Sequence, residues 1–394
     1  MRVAVLGGGY AGVVLTTRLE RSLPPDADLV LVDEDGTHLV QHELHRAIRD
    51  PAYGDTIEVP LEDVVDRAEV VADRVVDVDA DDRVVTLAEG DPIEYDVAAV
   101  CLGADPAFYD IPGLATHATP LKRLAHAERI HADLATLVSA GDGRIVVGGA
   151  GLAGVQTAGE IAEYVEAHET PGVDVVLLEQ ADTVTPRFGP AFRRAVHDHL
   201  LERSVDVRTS TEVTAADEEG VALANGERVA ADLLVWTGGI TGTEAMGHER
   251  PVVRSDLALD ERTFVVGDAA RAIDVDGEEA TPAAQTAVGE ARVAATNIER
   301  IVAQGPTDFR PRLDRYNFQP YGWVVSVGDG VVASVGGQVL TGQPAKALKS
   351  TVGLGYLATS GAIREAVSVL RREFGFVGID GRSSARGASR DQSR

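Results

Sequence analysis

Apolar positions along this chain come in short uninterrupted runs, separated by glycine turns and by stretches in which they recur at helical spacing. Met1–Leu6 is a run of strand type, Gly7-Gly-Gly-Tyr-Ala-Gly12 follows at once, and Val13–Leu19 continues as a helix. Leu29–Val32 is the next strand and closes on Asp33. Val70–Leu87 reads as short strands around an Asp81-Asp82 turn, a β-meander, and Tyr95–Ala104 as a buried strand ending in a glycine turn. Ile111–Leu114 marks the exit from this first unit. The arrangement then repeats. Arg144–Gly148 is a strand, Val155–Tyr164 a helix, and Val173–Leu178 a strand closed by Glu179. Ala191–Arg203 reads as a helix and Val205–Arg208 as a short strand, and a second meander turns at Asn225-Gly226. Asp232–Ile240 repeats the strand and glycine turn. Phe264–Asp268 leads to a helix over Thr281–Arg292 with Pro282 in its first turn. Beyond Tyr321 the pattern turns β-rich through Val339, then helical from Ala345. Alternating strands and helices predict an α/β chain with parallel sheets and a C-terminal α+β segment.

Both repeats carry G-x-G-x-x-G, as Gly7, Gly9, Gly12 and as Gly149, Gly151, Gly154. The first glycine permits the tight turn, the second lets backbone approach a pyrophosphate, and the third lets helix and strand pack closely. An anion would sit on the free N–H groups of the helix N-terminus. Asp33 and Glu179, each ending the next strand, can accept from a ribose. The fold class expected is therefore two Rossmann-like dinucleotide-binding domains, each with an inserted meander. The expected domains are 1–113 with 242–320, then 114–241, then 321–380, with a disordered Ser/Arg/Gly-rich tail over 381–394.

The chain has 394 residues and is 44% hydrophobic, enough to bury several cores. Its net charge of -27 argues against nucleic acid as a partner, since phosphate binding needs a basic surface. Only Lys122, Lys346 and Lys349 are lysines among 36 basic residues, a balance resembling proteins of a high-salt cytoplasm. Cys101 stands alone, so no intrachain disulfide, redox cysteine pair or cysteine-rich metal site can form, and the residue reads as packing. His38, His42 and His45 have helical spacing, but a metal needs further ligands in matching geometry. They read as surface and packing histidines beside a cofactor, and no metal is expected. A core strand starting at residue 2 leaves no room for a signal peptide, and no apolar stretch approaches the ~18 residues that span a bilayer. A cytoplasmic protein is expected, one that can also sit peripherally on the inner face of the membrane.

Gly7–Gly12, Tyr95–Ala104, Gly149–Gly154 with Glu179, and Val266-Gly-Asp268, in this order, resemble the pyridine nucleotide-disulfide oxidoreductase superfamily of two-fold flavoproteins. The resemblance implies FAD in the first fold and NAD(P)H in the second. It implies FAD contacts at Gly7, Gly9, Tyr10, Ala11, Gly12, Asp33, Glu34, Val75, Gly103, Asp268 and Ala284. For the nicotinamide nucleotide it implies Gly149, Gly151, Leu152, Gly154, Glu179 and Gly238. Glu179 favours NADH, because a carboxylate accepts from a 2′-hydroxyl but repels a 2′-phosphate, and Gln180-Ala-Asp182 offers no arginine. The single cysteine excludes disulfide reductases and sulfide:quinone reductases. Ala284-Gln285 after the Gly-Asp segment and the C-terminal extension look most like type II NADH dehydrogenase, a non-pumping, peripherally bound NADH:quinone oxidoreductase. That resemblance makes Gln156 and Gln285 the catalytic candidates.

Two positions depart from the family pattern. The second glutamine of its Ala-Gln-x-Ala-x-Gln segment is Gly289, and its glutamate after the second glycine motif is Gln156, which cannot exchange a proton at neutral pH. A soluble NADH-dependent reductase with a ferredoxin-like acceptor, or a non-catalytic FAD/NADH-binding redox sensor, therefore stays open beside the quinone reading. Residues 341–394 hold nine basic against four acidic residues, and Ile363, Val367, Leu370 and Phe374 would share one helix face. Such a segment suits an anionic membrane surface, the protein's own acidic body or a homodimer contact.

Overall fold

Uninterrupted apolar runs make strands that can be buried on both faces, and the fold uses them in parallel sheets. The computed structural model describes residues 1–305 and 311–349. The helix face of Ile363 to Phe374 and the tail over 381–394 lie outside the described residues. The first unit holds β1 (Arg2–Leu6), α1 (Tyr10–Ser22), β2 (Asp28–Asp33), β3 (Glu69–Ala72) and β4 (Val97–Val100). The second holds α2 (Leu124–Ala140), β5 (Gly143–Gly148), α3 (Leu152–Ala167), β6 (Val173–Leu178), α4 (Pro190–Glu202), β7 (Asp206–Arg208) and β8 (Leu233–Trp236). The chain returns through β9 (Thr263–Val265) and α5 (Ala284–Gln304), then ends in an antiparallel sheet of β10 (Trp323–Val327), β11 (Gly330–Val335) and β12 (Gln338–Thr341).

The first sheet runs β9-β4-β1-β2-β3, all parallel. The second runs Thr119–Pro120, β8, β5, β6, β7, again all parallel. Each unit carries a three-stranded antiparallel meander, at residues 75–94 before β4 and at residues 213–230 before β8. Both expected turns are present, Asp81-Asp82 between the first two strands of one and Asn225-Gly226, with Gly226 at φ 86°, in the other. The two connections between units meet in one antiparallel pair, Asp105–Pro106 against Ile240–Thr241.

Three sequence expectations are corrected. Val70 and Val71 belong to β3 of the main sheet, not to the meander, because Glu69–Ala72 pairs in parallel with β2. The helix expected from Thr281 starts at Ala284, since Ala283 is extended (φ -169°) and Pro282 lies before it; it then runs on to Gln304. The three histidines do not share a helix. His38 lies on the strand Thr37–Leu39, His42 in a 3-10 turn and His45 just before the short helix Arg46–Arg49, and His38 and His45 are buried rather than on the surface.

Burial explains the last point. Between β2 and β3 the chain leaves its own sheet, and Leu44, Ala47, Ile48 and Tyr53 join the core of the second unit with Ile130 and Leu134 of α2 and Ile161 of α3. Val325, Val327 and Val332 of the C-terminal sheet enter the same core; such side chains contribute about 1.5–3 kcal/mol each. Gly159 of α3 makes that approach possible, because a Cβ there would stand 2.4 Å from the Gly328 nitrogen. Gly159→Leu is expected to push the C-terminal sheet away and, by an overpacking cost of about 1–3 kcal/mol, to raise limited proteolysis beyond residue 320 by roughly tenfold or more. An unchanged cleavage pattern would refute that seam.

Candidate functional site

The two glycine turns face each other across one cleft of about 1790 Å³. Gly7, Gly9, Tyr10, Ala11, Asp33, Glu34, Val75, Gly103, Asp268 and Ala284 line it from the first unit. Gly149, Gly151, Leu152, Gln156, Glu179 and Gly238 line it from the second, and Gln285 completes the wall. Gly12 and Gly154, also expected as contacts, lie buried beneath the turns instead. A Cβ on Gly12 would stand 1.8 Å from the Gly7 oxygen and one on Gly154 1.7 Å from the Gly149 oxygen, so they act by letting helix pass strand.

Gly7 (φ 105°) and Gly149 (φ 93°) adopt backbone that side chains disfavour. Gly9 and Gly151 are different: a Cβ on either would meet no protein atom within 4 Å. That open space is what a pyrophosphate approaching the backbone requires. α1 and α3 have no acidic residue in their first turns and no side-chain cap, so their N-terminal N–H groups stay available to an anion. Asp33 and Glu179 brace the turns in matching fashion. Asp33 accepts from Gly8 N at 2.7 Å and Asp35 N at 3.1 Å; Glu179 accepts from Ala150 N at 2.7 Å and Ala181 N at 2.9 Å.

A ring of cations escaped the sequence reading. Lys122 pairs with Asp268 at 3.5 Å, Arg123 with Glu34 at 2.6 Å, and Arg74 with Glu244 at 3.1 Å. Arg250 donates to the carbonyls of Asp268 and Ala270. All four line the cleft. The available signal was Lys122 itself, one of three lysines in the chain. Cys101 is buried beside the first turn, its carbonyl oxygen 2.3 Å from where a Gly7 Cβ would stand, and burial pushes its thiol pKa up, away from reactivity.

The two catalytic candidates sit differently. Gln285 donates to the Gly322 carbonyl at 3.1 Å and accepts from Tyr321 N at 3.3 Å, so both ends of its amide hold the loop entering β10. The Tyr316 ring packs over Gly289, 3.0 Å from where a Cβ would be, and fills the place of the side chain missing there. Gln156 belongs to a polar cluster, its Nε2 3.3 Å from His45 Nε2 and 3.4 Å from Ser326 Oγ. His45 and Ser326 are 2.8 Å apart, and Lys349 reaches both Ser326 Oγ and Glu43 at 3.2 Å. Burial opposes ionisation of Glu43, but Lys349, His42, His45 and Arg46 outweigh it and hold the carboxyl at about 2. Burial, then Lys349, keeps His45 well below the ordinary histidine range.

Glu290 on α5 is 1% exposed and accepts from Gly267 N at 2.7 Å. Burial raises its pKa to about 8, with the Gly267 hydrogen bond opposing. Between its ordinary value of 4.5 and about 8 the fold therefore binds a proton that the unfolded chain has released, and stability falls as pH rises through that window. Glu290→Gln keeps the acceptor and removes the loss. Calorimetry is expected to show the variant's Tm gaining on the wild type from pH ~5 to ~8 and running parallel above; a constant difference would contradict the assignment.

Comparisons with known proteins agree with this architecture. A Type II NADH:quinone oxidoreductase of Staphylococcus haemolyticus is 28% identical over 385 residues, 89% of this chain and 94% of that one. The structure of NDH2 from Plasmodium falciparum in complex with NADH superposes with a TM-score of 0.82 at 13% identity, covering 95% of this chain and 98% of the other. The sulfide:quinone oxidoreductase of Aquifex aeolicus gives 0.74 at 20% identity over 95% and 96%. These two structures share the fold of two dinucleotide-binding units. The family model of the pyridine nucleotide-disulphide oxidoreductases matches residues 1–291, and the chain belongs to that family.

Proposed function

We propose that this protein is an FAD-dependent NADH dehydrogenase that passes electrons from NADH to a membrane quinone without pumping protons. The observation that carries the reading is the single cleft onto which both uncapped helix N-termini open, one from each unit. The relative from Staphylococcus haemolyticus, aligned over nearly its whole length, supports quinone as the acceptor. Gly7, Gly9 and the start of α1 would hold the FAD pyrophosphate, with Lys122 and Arg123 offsetting its charge. Gly149, Gly151 and the start of α3 would hold that of NADH. FAD, when bound, supplies a carrier that takes two electrons at once and can release them to various acceptors.

The chain's own residues do the rest. The N-terminus of α5, at Ala284 in the cleft wall, would offer its partial positive charge to negative charge on a reduced flavin held in the cleft. Gln285 fixes Tyr321 and Gly322 at the same wall. Among the described residues no helix is long and apolar enough to cross a membrane, which suits a peripheral, non-pumping enzyme. Attachment to anionic lipid, or pairing with a second copy, is assigned to residues 341–394, nine basic against four acidic.

Anaerobic NADH is expected to bleach the purified yellow protein, and a short-chain quinone to restore its colour. Reoxidation no faster than in buffer would remove the quinone reading and leave a protein acceptor; absence of bleaching would leave a redox sensor. Glu179→Arg is expected to shift kcat/KM toward NADPH. Because Glu179 also braces Ala150 and Ala181, the same change should weaken NADH binding by about tenfold or more. Unchanged selectivity would refute its role at the ribose.

A further inference from the structure

Reduction of a quinone by NADH needs one proton from solvent: NADH + H⁺ + quinone → NAD⁺ + quinol. Two electrons and one proton leave the dihydronicotinamide together, and the second proton must be delivered at the acceptor. Gln156 stands at the cleft wall but has no proton to give at neutral pH. Its neighbours do.

The hydrogen bonds around it run in one direction. Lys349 Nζ can only donate, and it lies 3.2 Å from Ser326 Oγ. Ser326 Oγ, already an acceptor there, can donate its own hydrogen to His45 Nε2 at 2.8 Å. His45 is 3% exposed and lines the cleft, whereas the Lys349 side chain is 20% exposed and meets solvent. A buried base at the cleft is thus joined to a cation at the surface by one hydroxyl. Gln156 completes the arrangement, because its amide can turn either a donor or an acceptor toward His45 Nε2 and so tolerates both charge states of the ring.

We infer that His45 delivers to the acceptor the solvent-derived proton that Gln156 cannot, and is recharged from Lys349 through the Ser326 hydroxyl. The inference rests on the quinone-reducing reading above. The imidazolium Nε2–H bond breaks as the quinol O–H forms, the vacated Nε2 takes the Ser326 hydrogen, the Lys349 ammonium gives a proton to restore the hydroxyl, and solvent returns that proton to Lys349. Charged and titratable groups face His45 from every side of this cluster: Lys349 from residues 342–349, Glu43 and His42 from the 3-10 turn, and Arg46 from the short helix that follows. Burial first, then Lys349, Arg46 and His42, oppose the imidazolium, whereas Glu43 favours it, so the ring is charged only transiently. Ser326, Lys349 and Gln156 are positioning residues, and His45 is the donor.

The test uses the full chain with FAD bound, reduced anaerobically with NADH and mixed with a short-chain ubiquinone from about pH 6 to about pH 9, in H₂O and D₂O. His45→Gln is expected to slow reoxidation by about a hundredfold and Ser326→Ala by about tenfold, with a larger solvent isotope effect. Adding Gln156→Glu to His45→Gln should recover most of the rate, with a new fall as pH rises and the carboxyl loses its proton. Flavin absorbance reports folding of each variant. A wild type that quinone does not reoxidise overturns the functional reading and this inference together. A competent wild type with His45→Gln within about twofold of it, and an unchanged pH profile, overturns this inference alone. One arm needs no turnover: ¹⁵N NMR of the His45 ring in the oxidised protein. Lys349→Met is expected to raise its protonation midpoint, because Lys349 is a charge holding it down. An unmoved midpoint places the Lys349 charge out of reach of the ring and refutes recharging of His45 from Lys349.

Discussion

The structure depends on two places where helix and strand come too close for any side chain. At Gly12 and Gly154 an added Cβ would fall within 1.8 and 1.7 Å of a carbonyl oxygen of the preceding turn. Only because this contact is closed by glycine can α1 and α3 begin directly at the ends of β1 and β5. That start aims the first N–H groups of each helix into the cleft instead of against the sheet. Asp33 and Glu179 then hold the turns by accepting from amides on the far side of each loop. The same constraint met twice, by the same means, gives the two units their common geometry.

Around this frame the electrostatics run against the protein as a whole. The chain carries -27, yet Arg74, Lys122, Arg123 and Arg250 all reach the cleft. Against that net negative charge, local cations and helix N-termini make the interior of the cleft receptive to phosphate. The cations are not idle in the structure described: each is held by a carboxylate or a carbonyl, and so is positioned before a ligand arrives.

Much of this was legible in the sequence because it is local. The apolar runs, the glycine spacing, Asp33 and Glu179 at strand ends, and the turns at Asp81-Asp82 and Asn225-Gly226 each follow from a few neighbouring residues. What was not legible depends on distant partners. Leu44 and Ile48 lie in a segment of weak periodicity, and nothing near them shows that they will enter the core around α2 and α3. Their displacement is what buries His45 and brings it to Gln156 and Ser326, far apart in the chain. Val70–Ala72 read as part of a meander because its apolar pattern is that of any short strand; only the pairing of Glu69–Ala72 with β2 distinguishes it. Pro282 suggested a helix start, but its neighbour Ala283 stays extended and the helix waits until Ala284.

The antiparallel pair of Asp105–Pro106 with Ile240–Thr241 has a consequence for how such a protein can be rearranged. The chain enters and leaves its second unit at one crossing, so that unit's two ends lie side by side. A segment with adjoining ends behaves as a cassette: it can be excised or exchanged while β9 still finds its place beside β4. Exchange would demand little more than two residues in register on each side of the crossing. Glu179, to which the choice between nicotinamide nucleotides is assigned above, lies within that cassette, so that choice would be separable, at the level of the gene, from the unit proposed to hold the flavin.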